Sequence, residues 1–309
     1  MSIRYTIVGI GESLFDIYQG QQHPGGAPLN LARHAHQLIH RLGGQAVLVS
    51  RIGQDRLGEM LCDHLKQHQM TCQYIQTDPD RATGRVYINL DANGQPEYDI
   101  VENTAWDMLW FDPDLEGLAQ SCDAVCFGSL AQRDAQSRNT IYRFLDSCNH
   151  AVRVFDINLR QNHYNQRIIR KSCELAQIVK LNTAELKILA DLLALEPVGE
   201  SQSDQDQQIQ QLIKAYHLEM VVLTRGKDGT RLHTADQVVN GTQVQYPPAS
   251  DADAVGAGDA CTAAVVVGRL LRLPAQKIAD LANHTGAYVA SQSGATPQLP
   301  DQILDLINT

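Results

Sequence analysis

The chain has 309 residues, of which 43% are apolar and 19% charged, and its formal net charge is −10 at pH 7. That length allows one large α/β domain with an extra subdomain, and the composition is typical of a soluble globular protein. The acidic balance argues against nucleic acid or an anionic membrane as a general partner. It does not exclude a small anionic ligand, because helix dipoles and a metal ion can hold one locally.

No apolar run approaches the ~20 residues that span a bilayer, and the start of the chain lacks a signal-peptide core. We therefore expect a cytoplasmic protein. The seven cysteines are scattered and form no C-x-x-C pair, so no disulfide framework is implied. Three histidines on the first predicted helix, His34, His36 and His40, are interpreted as solvated or interfacial.

The first third of the chain alternates apolar strands with two glycine turns that open helices. Short apolar or alternating runs predict strands, and periodic runs after glycine turns predict helices. The predicted elements are strands at 6–12, 13–18 and 46–52, a helix from the loop 23–32 to about 42, and a helix from the turn 53–58 to about 69. The alternating runs 84–90 and 97–101, joined by turn residues 91–94, predict a hairpin in a small sheet that projects from the main body.

The remaining chain repeats strand and helix, which predicts a mostly parallel sheet covered by helices on both faces. Strands are predicted near 124–128, 152–157, 177–181, 220–225, 230–234 and 241–246. Helices are predicted near 134–148, 165–175, 183–194, 204–217, 259–271 and 275–291, with a short one after 300 and a loose polar linker at 196–206.

In such a sheet, ligands bind beyond the carboxyl ends of the strands. Polar motifs follow several predicted strands, at 156–160, 180–185, 224–229 and 253–259. The last of these places two glycines and Asp259 on the first turn of a buried helix. Unpaired backbone N–H groups and the positive helix end suit this turn to phosphate. From these residues alone, a tight turn with a favourable first-turn acid remains an equal alternative.

Other phosphate, nucleotide and hydrolase signatures do not occur. There is no G-x-x-x-x-G-K-[ST] P-loop, and Gly9-Ile10-Gly11 has no third glycine opening a helix, so a dinucleotide fold matches poorly. There is also no Cys/His cluster with zinc spacing and no G-x-S-x-G elbow.

Five motifs in order resemble the ribokinase-like (PfkB) sugar kinases, across essentially the whole chain. They are Gly25-Gly26 with Asn30, Gly53-x-Asp55-x-x-Gly58, Asn182-x-x-Glu185, Thr224-x-Gly226-x-x-Gly229 and Gly256-Ala257-Gly258-Asp259. The segments Gly11-Glu12 with Asp16, 127–131 and 156–160 look most like the fructokinase branch.

The resemblance implies a ribokinase-like α/β kinase domain at 1–309, with a lid subdomain from about 13–24 and 82–102. The implied reaction is phosphorylation of a sugar primary hydroxyl by ATP with Mg²⁺, fructose being the first candidate. A kinase for another sugar, sugar acid or nucleoside is the alternative within the class. A catalytically silent sugar- or nucleotide-binding regulator is the alternative outside it. Such lids often pair between subunits, so a homodimer through the lid is left open.

By the same resemblance, Asp259 is the general base for the sugar hydroxyl, and the amides of Gly256, Ala257 and Gly258 form the anion hole. A helix start should lower the pKa of Asp259 and make it a weak base. Phosphoryl transfer depends more on positioning and charge neutralisation than on a strong base, so this placement is tolerable.

The implied cofactor residues lie at two neighbouring strand ends. Asn182 and Glu185 help to hold Mg²⁺ through water, although a capping box explains the same spacing equally well. The residues assigned to the nucleotide are Thr224, Gly226, Gly229 and Asn283, with a plain turn at 224–229 as the alternative.

The implied sugar ligands are Asp16, Gly26 and Asn30, which pair a carboxylate with an amide. Arg160 is assigned to the sugar or the phosphates because its planar fork suits anions, with a surface ion pair as the alternative. Asp16 is otherwise an ordinary strand-end acid. The lid closes over the sugar and excludes water from the reaction.

One part of the motif set departs from the family. Ala254 stands where the family usually has Thr, and Gln298 stands where some members have Ser. Asp253 resembles the monovalent-cation site beside the anion hole, together with carbonyls near Val289, Gln292 and Gly294. Potassium is therefore the implied second cation, and Ala254 is the residue that weakens this implication.

Overall fold

The computed structural model describes residues 5–90, 96–199 and 201–308. The hairpin turn predicted at 91–94 falls outside these ranges. The strands are β1 Thr6–Ile10, β2 Leu14–Tyr18, β3 Gln21–Gly25, β4 Gln45–Gly53, β5 Ile75–Asp78, β6 Gly84–Leu90, β7 Pro96–Ile100, β8 Ala124–Gly128, β9 Val152–Asp156, β10 Ile178–Asn182, β11 Met220–Thr224, β12 Thr230–His233 and β13 Val238–Asn240. The α-helices are α1 Ala27–Ile39, α2 Arg56–Gln67, α3 Pro113–Ser121, α4 Ala135–Ser147, α5 Gln166–Leu175, α6 Thr183–Leu193, α7 Gln202–Tyr216, α8 Ala257–Leu270, α9 Ala275–Ala290 and α10 Asp301–Leu304.

Nine strands form one sheet in the order β13-β12-β11-β10-β9-β8-β1-β4-β5. The pairings from β5 to β11 are parallel, and β12 and β13 continue the sheet antiparallel. The expected mostly parallel sheet is therefore confirmed. Because β1, β9, β10 and β11 run in the same direction, their carboxyl ends meet at one edge.

Apolar clusters cover both faces of this sheet, as predicted. Helices α1, α2, α8 and α9 pack on one face, and α3 to α7 contribute to the cluster on the other. Helices α8 and α9 approach closely at Gly268, where an added Cβ would lie 2.9 Å from Ile278 Cγ1. The apolar helix that begins at the glycine motif is therefore held rigidly between the sheet and its neighbours.

A separate four-stranded sheet has the order β3-β2-β6-β7. One face has its own small cluster, made by Leu14, Val86, Ile100, Trp106 and Leu130. Three tyrosines of this sheet are exposed, Tyr18, Tyr87 and Tyr98. The predicted hairpin thus belongs to a second sheet, together with β2 and β3 from the segment at about 13–24 that the sequence assigned to the same subdomain. The strand conformation of β3 was not predicted.

Several elements differ from the sequence prediction. The strand expected at 241–246 is instead β13 at Val238–Asn240. Side chains of α9 take the backbone groups that follow: Asp280 accepts from Thr242 N at 2.7 Å, and Asn283 donates to Thr242 O at 2.9 Å. Strand β5 and helix α3 were missed, although Asp112 caps α3 and Pro113 opens it.

The interpretation of His34 and His36 as solvated was wrong, whereas His40 is exposed. Helix α1 is buried on every side, so its polar residues are enclosed as well. His34 is fully buried and its Nε2 lies 2.9 Å from Ala295 O. Burial lowers the pKa of His34 to about 4, so the ring is neutral at pH 7 and donates this hydrogen bond.

All seven cysteines fall within the described ranges and are free thiols. Across the same ranges, the helices are too short or too polar to cross a membrane.

Candidate active site

The polar motifs at four strand ends converge beneath the first turn of α8. Glu12 follows β1, Asp156 ends β9, Asn182 ends β10 and Thr224 ends β11. Electrostatic interactions of Asp259 with Asp156 and Arg160, and of Glu12 with Asp259, join the ends of β1 and β9 to this turn. Asn182 and Thr224 line one cavity together with Gly258. The convergence expected from parallel strands is observed.

The first turn of α8 depends on glycine at position 256, where there is no room for a side chain. Gly256 has φ 78° and precedes the helix, and a Cβ there would overlap the carbonyl of Ala295. In the described chain, the N–H groups of Gly258 and Asp259 donate to no backbone carbonyl, whereas Ala257 N donates to Ala254 O at 3.3 Å. The turn therefore offers Gly258 and Asp259 amides to an anion, and Ala257 is already engaged.

Asp259 joins this turn to helix α1. Its Oδ2 accepts a hydrogen bond from Asn30 Nδ2 at 2.8 Å. Burial and the charge of Asp156 raise the pKa of Asp259 to about 6, against the opposing effects of Lys180, Asn30 and Arg160. The expectation that the helix start lowers this pKa was wrong, because desolvation and a second carboxylate outweigh the helix dipole.

A buried ion pair lies next to the first turn of α8. Lys180 Nζ is 3.0 Å from Asp156 Oδ1, and Thr262 Oγ1 donates to Asp156 Oδ2 at 2.7 Å. A Cβ on Gly258 would lie 3.0 Å from Lys180 Nζ. Sequence reasoning placed Lys180 in a strand-end motif but assigned it no role.

Asp16, Gly26 and Asn30 lie together on the α1 side of the cluster. A Cβ on Gly25 would lie 2.6 Å from Asp16 Oδ2, and Gly26 has φ 109°, so both glycines make room for neighbouring polar groups. Asn30 Oδ1 is buried and has no hydrogen-bond partner. Burial raises the pKa of Asp16, against the effects of His23 and Arg160. This group offers two acceptors to a ligand.

Glu12 is a site residue that sequence reasoning noted only as a family likeness. Its side chain is 2% exposed, and Oε2 has no hydrogen-bond partner. Burial is the largest cause that raises its pKa to about 7, and the charge of Asp259 adds to it. The available signal was an acid directly after an apolar strand, where a buried carboxyl at a strand end is unusual.

Arg160 lies on a short turn that is held from both sides. The nearby residues Asn158 and Gln161 have φ 41° and 46°, and Gln161 Nε2 donates to the carbonyl of Tyr98 in the small sheet. The guanidinium is exposed and contacts the neighbouring Leu159 O at 3.3 Å. It interacts electrostatically with Glu12, Asp16 and Asp259, three carboxyl groups of the cluster.

The alternative proposed for Asn182 and Glu185, a capping box, is observed. Asn182 Oδ1 accepts from Glu185 N at 2.9 Å, and Glu185 Oε2 accepts from Asn182 N at 2.8 Å. Glu185 Oε1 also accepts from Leu159 N at 3.0 Å. The carboxylate therefore ties the start of α6 to the turn that carries Arg160.

A cavity of about 630 Å³ opens beside the start of α8. Asn182, Thr224, Gly226 and Gly229 line it. The two glycines have φ 57° and 76°, which glycine adopts without strain. This volume lies within the ~300–1,000 Å³ range of ligand pockets.

Asn283 also lines this cavity, and its amide is largely engaged within the protein. Its Oδ1 accepts from Thr230 N at 2.7 Å, and its Nδ2 donates to Thr242 O at 2.9 Å. The side chain thus fixes the wall formed by β12 and the segment after β13.

Sequence reasoning missed the opposite wall of the cavity. Helix α9 lines it with Ala282, Gly286 and Ala290, one residue per turn, and Tyr246 lines it from the segment after β13. Spacing of small residues by four was a usable signal for a helix face open to a flat ligand. Tyr246 gave no signal, because its chain segment has no regular structure.

Asp253 binds two backbone amides of neighbouring loops. Its Oδ1 accepts from Val255 N at 2.9 Å and its Oδ2 accepts from Gly294 N at 3.1 Å. Asp253 N in turn donates to Gln292 O at 3.0 Å. Ala254 adds no hydroxyl, and Gln298 accepts from Arg33 instead, at 3.1 Å.

The motif Gly53-x-Asp55-x-x-Gly58 lies apart from this site. Asp55 caps α2 by accepting from Gly58 N at 2.9 Å and also accepts from Thr83 Oγ1 at 2.7 Å. A Cβ on Gly53 would lie 2.5 Å from Arg81 O. This motif therefore connects the main sheet to the segment that enters β6.

Comparison with known proteins identifies relatives over nearly the whole chain. The profile of the pfkB family carbohydrate kinases matches residues 9–302. Putative sugar kinase PH1459 of Pyrococcus horikoshii is 27% identical over 96% of this chain and 94% of its own length. A fructokinase of Escherichia coli is 26% identical over 90% of this chain and 89% of its own length.

Solved structures agree with the fold. PH1459 in complex with ATP has a TM-score of 0.77 at 25% identity and covers 97% of this chain and 99% of its own. Fructokinase with bound ATP from Xylella fastidiosa and 2-dehydro-3-deoxygluconokinase from Thermotoga maritima each have a TM-score of 0.81 and cover 99% of both chains, at 22% and 17% identity. The ribokinase-like fold expected from the motifs is confirmed.

Proposed function

Because the chain belongs to the pfkB family of carbohydrate kinases, we propose that it transfers the γ-phosphoryl group of ATP to a primary hydroxyl of a neutral sugar, with fructose as the first candidate. The observation that carries this proposal is the 2.8 Å hydrogen bond between Asn30 and Asp259. It joins a polar group suited to sugar hydroxyls with a helix start suited to phosphate.

Asp259 acts as the general base. It takes the hydroxyl proton while the sugar oxygen bonds to the γ-phosphorus and the bond to the bridging oxygen breaks, so that ADP leaves with that electron pair. A pKa of about 6 leaves Asp259 ionised at pH 7 and makes it a stronger base than an ordinary aspartate. The hydrogen bond from Asn30 holds the second carboxylate oxygen in position.

Asp16, Gly26, Asn30 and Arg160 form the sugar side of the proposal. Asp16 and Asn30 Oδ1 accept from hydroxyls, and Gly26 lets the ligand approach the start of α1. Arg160 is the cation that faces Glu12, Asp16 and Asp259. Three carboxyl groups face this exposed guanidinium, and the nearby Lys180 ammonium is already paired with a fourth carboxyl, Asp156. The excess of acidic groups favours a neutral sugar over a sugar acid.

The nucleotide occupies the cavity between Thr224 to Gly229 and helix α9 in this proposal. Small side chains on α9 leave a flat wall for the base, and backbone at Gly226 and Gly229 approaches the ribose and phosphates. The γ-phosphoryl then lies against the Gly258 and Asp259 amides. The solved complex of the relative PH1459 with ATP supports ATP as the nucleotide.

Mg²⁺ fits this site through water. Both oxygens of Glu185 already accept a backbone N–H, which leaves each a further lone pair for a water molecule rather than a closed set of direct ligands. Mg²⁺ usually keeps several waters and takes phosphate oxygens as ligands. When bound, the ion neutralises charge on the β- and γ-phosphates.

Potassium at Asp253 and closure of the small sheet as a lid remain parts of the proposal. Both Asp253 oxygens are engaged by backbone amides, so a cation there shares them with Val255 and Gly294. The contact of Gln161 with β7 supports coupling between the small sheet and the Arg160 turn. The exposed tyrosines of this sheet support a homodimer through the lid.

A coupled assay of ADP release across a panel of sugars, sugar acids and nucleosides tests the proposal. We expect turnover with fructose or another neutral ketose, and little with sugar acids. If no compound stimulates ATP turnover while a sugar or nucleotide still binds, the chain is a silent binder and the kinase proposal is wrong. Turnover with an acid alone makes Arg160 a carboxylate ligand and replaces the neutral-sugar candidate.

A further inference from the structure

Lys180 is a buried cation beneath the proposed transfer site. It lies near the carboxyl end of β10 and is 7% exposed. Its Nζ contacts Asp156 Oδ1 at 3.0 Å and occupies the space beside Gly258 that a side chain would fill. The ammonium group is thus placed directly against the first turn of α8.

The ammonium group has spare donors. An ammonium carries three N–H groups, and in the described chain Lys180 donates one hydrogen bond, to Asp156. The second oxygen of Asp156 is satisfied by Thr262, at 2.7 Å. Two N–H groups of Lys180 therefore remain for an acceptor that enters beside Gly258.

Lys180 is a cation at pH 7, because a lysine side chain is ordinarily protonated there and its Nζ pairs with the carboxylate of Asp156 at 3.0 Å. A permanently charged donor in a site of low dielectric interacts strongly with an incoming anion.

The alternative is that Lys180 and Asp156 serve only to hold β9 and β10 together. A buried ion pair adds little net stability on average, because desolvation of both charges offsets their attraction. The parallel ladder between β9 and β10 supplies backbone hydrogen bonds without the pair. A structural role alone leaves the two spare donors and the contact with Gly258 unexplained.

We propose that Lys180 is a further catalytic residue, which donates its two free N–H groups to oxygens of the γ-phosphoryl group as it is transferred. This inference rests on the proposed kinase function. Lys180 keeps its proton throughout, because the proton of the sugar hydroxyl goes to Asp259. A side chain at position 258 would push the ammonium group away from this turn.

The variant Lys180→Met tests this role by removing the charge at similar side-chain volume. Titration with ADP and with a non-hydrolysable ATP analogue, both with Mg²⁺, distinguishes loss of a γ-phosphate contact from a general loss of nucleotide binding. We expect Kd for ADP to change by less than about threefold, Kd for the analogue to rise about tenfold or more, and kcat to fall about 10²-fold. Equal weakening of both nucleotides, or an unchanged kcat, would overturn the proposal.

Two further variants keep the test decisive. Arg231→Met removes another buried cation, which is paired with Asp206 on α7. This variant should leave the ratio of Kd for the ATP analogue to Kd for ADP unchanged. In the double variant Asp156→Asn with Lys180→Met, no carboxylate is left without its cation. Kd for the ATP analogue should still rise more than Kd for ADP. If only the single variant Lys180→Met shows this difference, the stranded Asp156 charge is responsible and Lys180 makes no phosphate contact. Absence of nucleotide binding by the unaltered chain refutes the kinase proposal itself and this inference with it.

Discussion

The two halves of the candidate site are built from different materials. The nucleotide side is mostly backbone and small residues, with Gly226, Gly229 and the alanines of α9 around a cavity of about 630 Å³. The sugar side consists of charged side chains with shifted pKa values, among them Glu12, Asp16 and Asp259. Changes on the first side should act through shape, and changes on the second through charge and pH.

The largest effect is expected at Asp259, which lies between the nucleotide side and the sugar side. Asp259→Asn removes the base and keeps the volume, so kcat should fall by about 10² to 10⁴ while Kd for ADP stays unchanged. Steady-state kinetics and nucleotide titration measure the two quantities. Asp134→Asn is the matched control, because Asp134 caps α4 away from the site and asparagine caps equally well. Unchanged turnover in Asp259→Asn would refute its role as the base.

Shape should dominate at the glycine that precedes α8. Gly256→Ala combines a positive φ with overlap against Ala295 O, whereas Gly294 has φ 77° and open space around it. Strain from φ alone is about 1 kcal/mol for Gly294→Ala. Gly256→Ala should lose a further ~1–3 kcal/mol of unfolding free energy from the overlap. Chemical denaturation of both variants measures the difference, and equal losses would show that the contact with Ala295 relaxes freely.

The sequence predicted the places where site residues gather better than their electrostatics. Parallel strands direct their carboxyl ends to one edge, so motifs after β9, β10 and β11 had to meet there. The pKa of Asp259 was predicted in the wrong direction, because it depends on burial of the carboxyl and on the charge of Asp156, more than 100 residues away. Such distances are set by packing of whole elements, which local patterns do not encode.

Tertiary contacts also decided several elements of the fold. Residues 241–246 have the alternation of a strand, yet Asp280 and Asn283 of α9 take the backbone groups of Thr242. His34 and His36 are polar residues that would be expected on an exposed helix face, yet α1 is enclosed on every side. In each case contacts with a segment distant in the chain decide the structure. The local sequence preference was recognised correctly, but these tertiary contacts outweigh it.

Charge should dominate at Glu12, where pH reveals the effect. The folded protein raises the pKa of Glu12 from 4.5 to about 7, so it holds this proton more tightly than the unfolded chain does. Ionisation of Glu12 therefore opposes folding, with no cost below about pH 4.5 and the full cost above about pH 7.

Glu12→Gln removes this titration. Its unfolding free energy relative to the parent should increase by about 2 kcal/mol between pH 5 and pH 8. Urea denaturation at several pH values measures the change. A difference between the two proteins that stays constant with pH would show that Glu12 ionises as freely in the folded state as in the unfolded chain.

The smallest expected effect belongs to Arg160, whose exposed guanidinium lowers the pKa of Asp259. In Arg160→Gln the pKa of Asp259 should rise further, so the acid limb of kcat/KM should move to higher pH by less than about one unit. Because water and salt screen an exposed charge, the shift should shrink as ionic strength increases. Arg41→Gln is the control, since Arg41 pairs with Asp301 away from the site and should leave the limb in place. A limb that does not move in Arg160→Gln at low salt would mean that Arg160 does not influence the pKa of Asp259 and acts on the bound sugar alone.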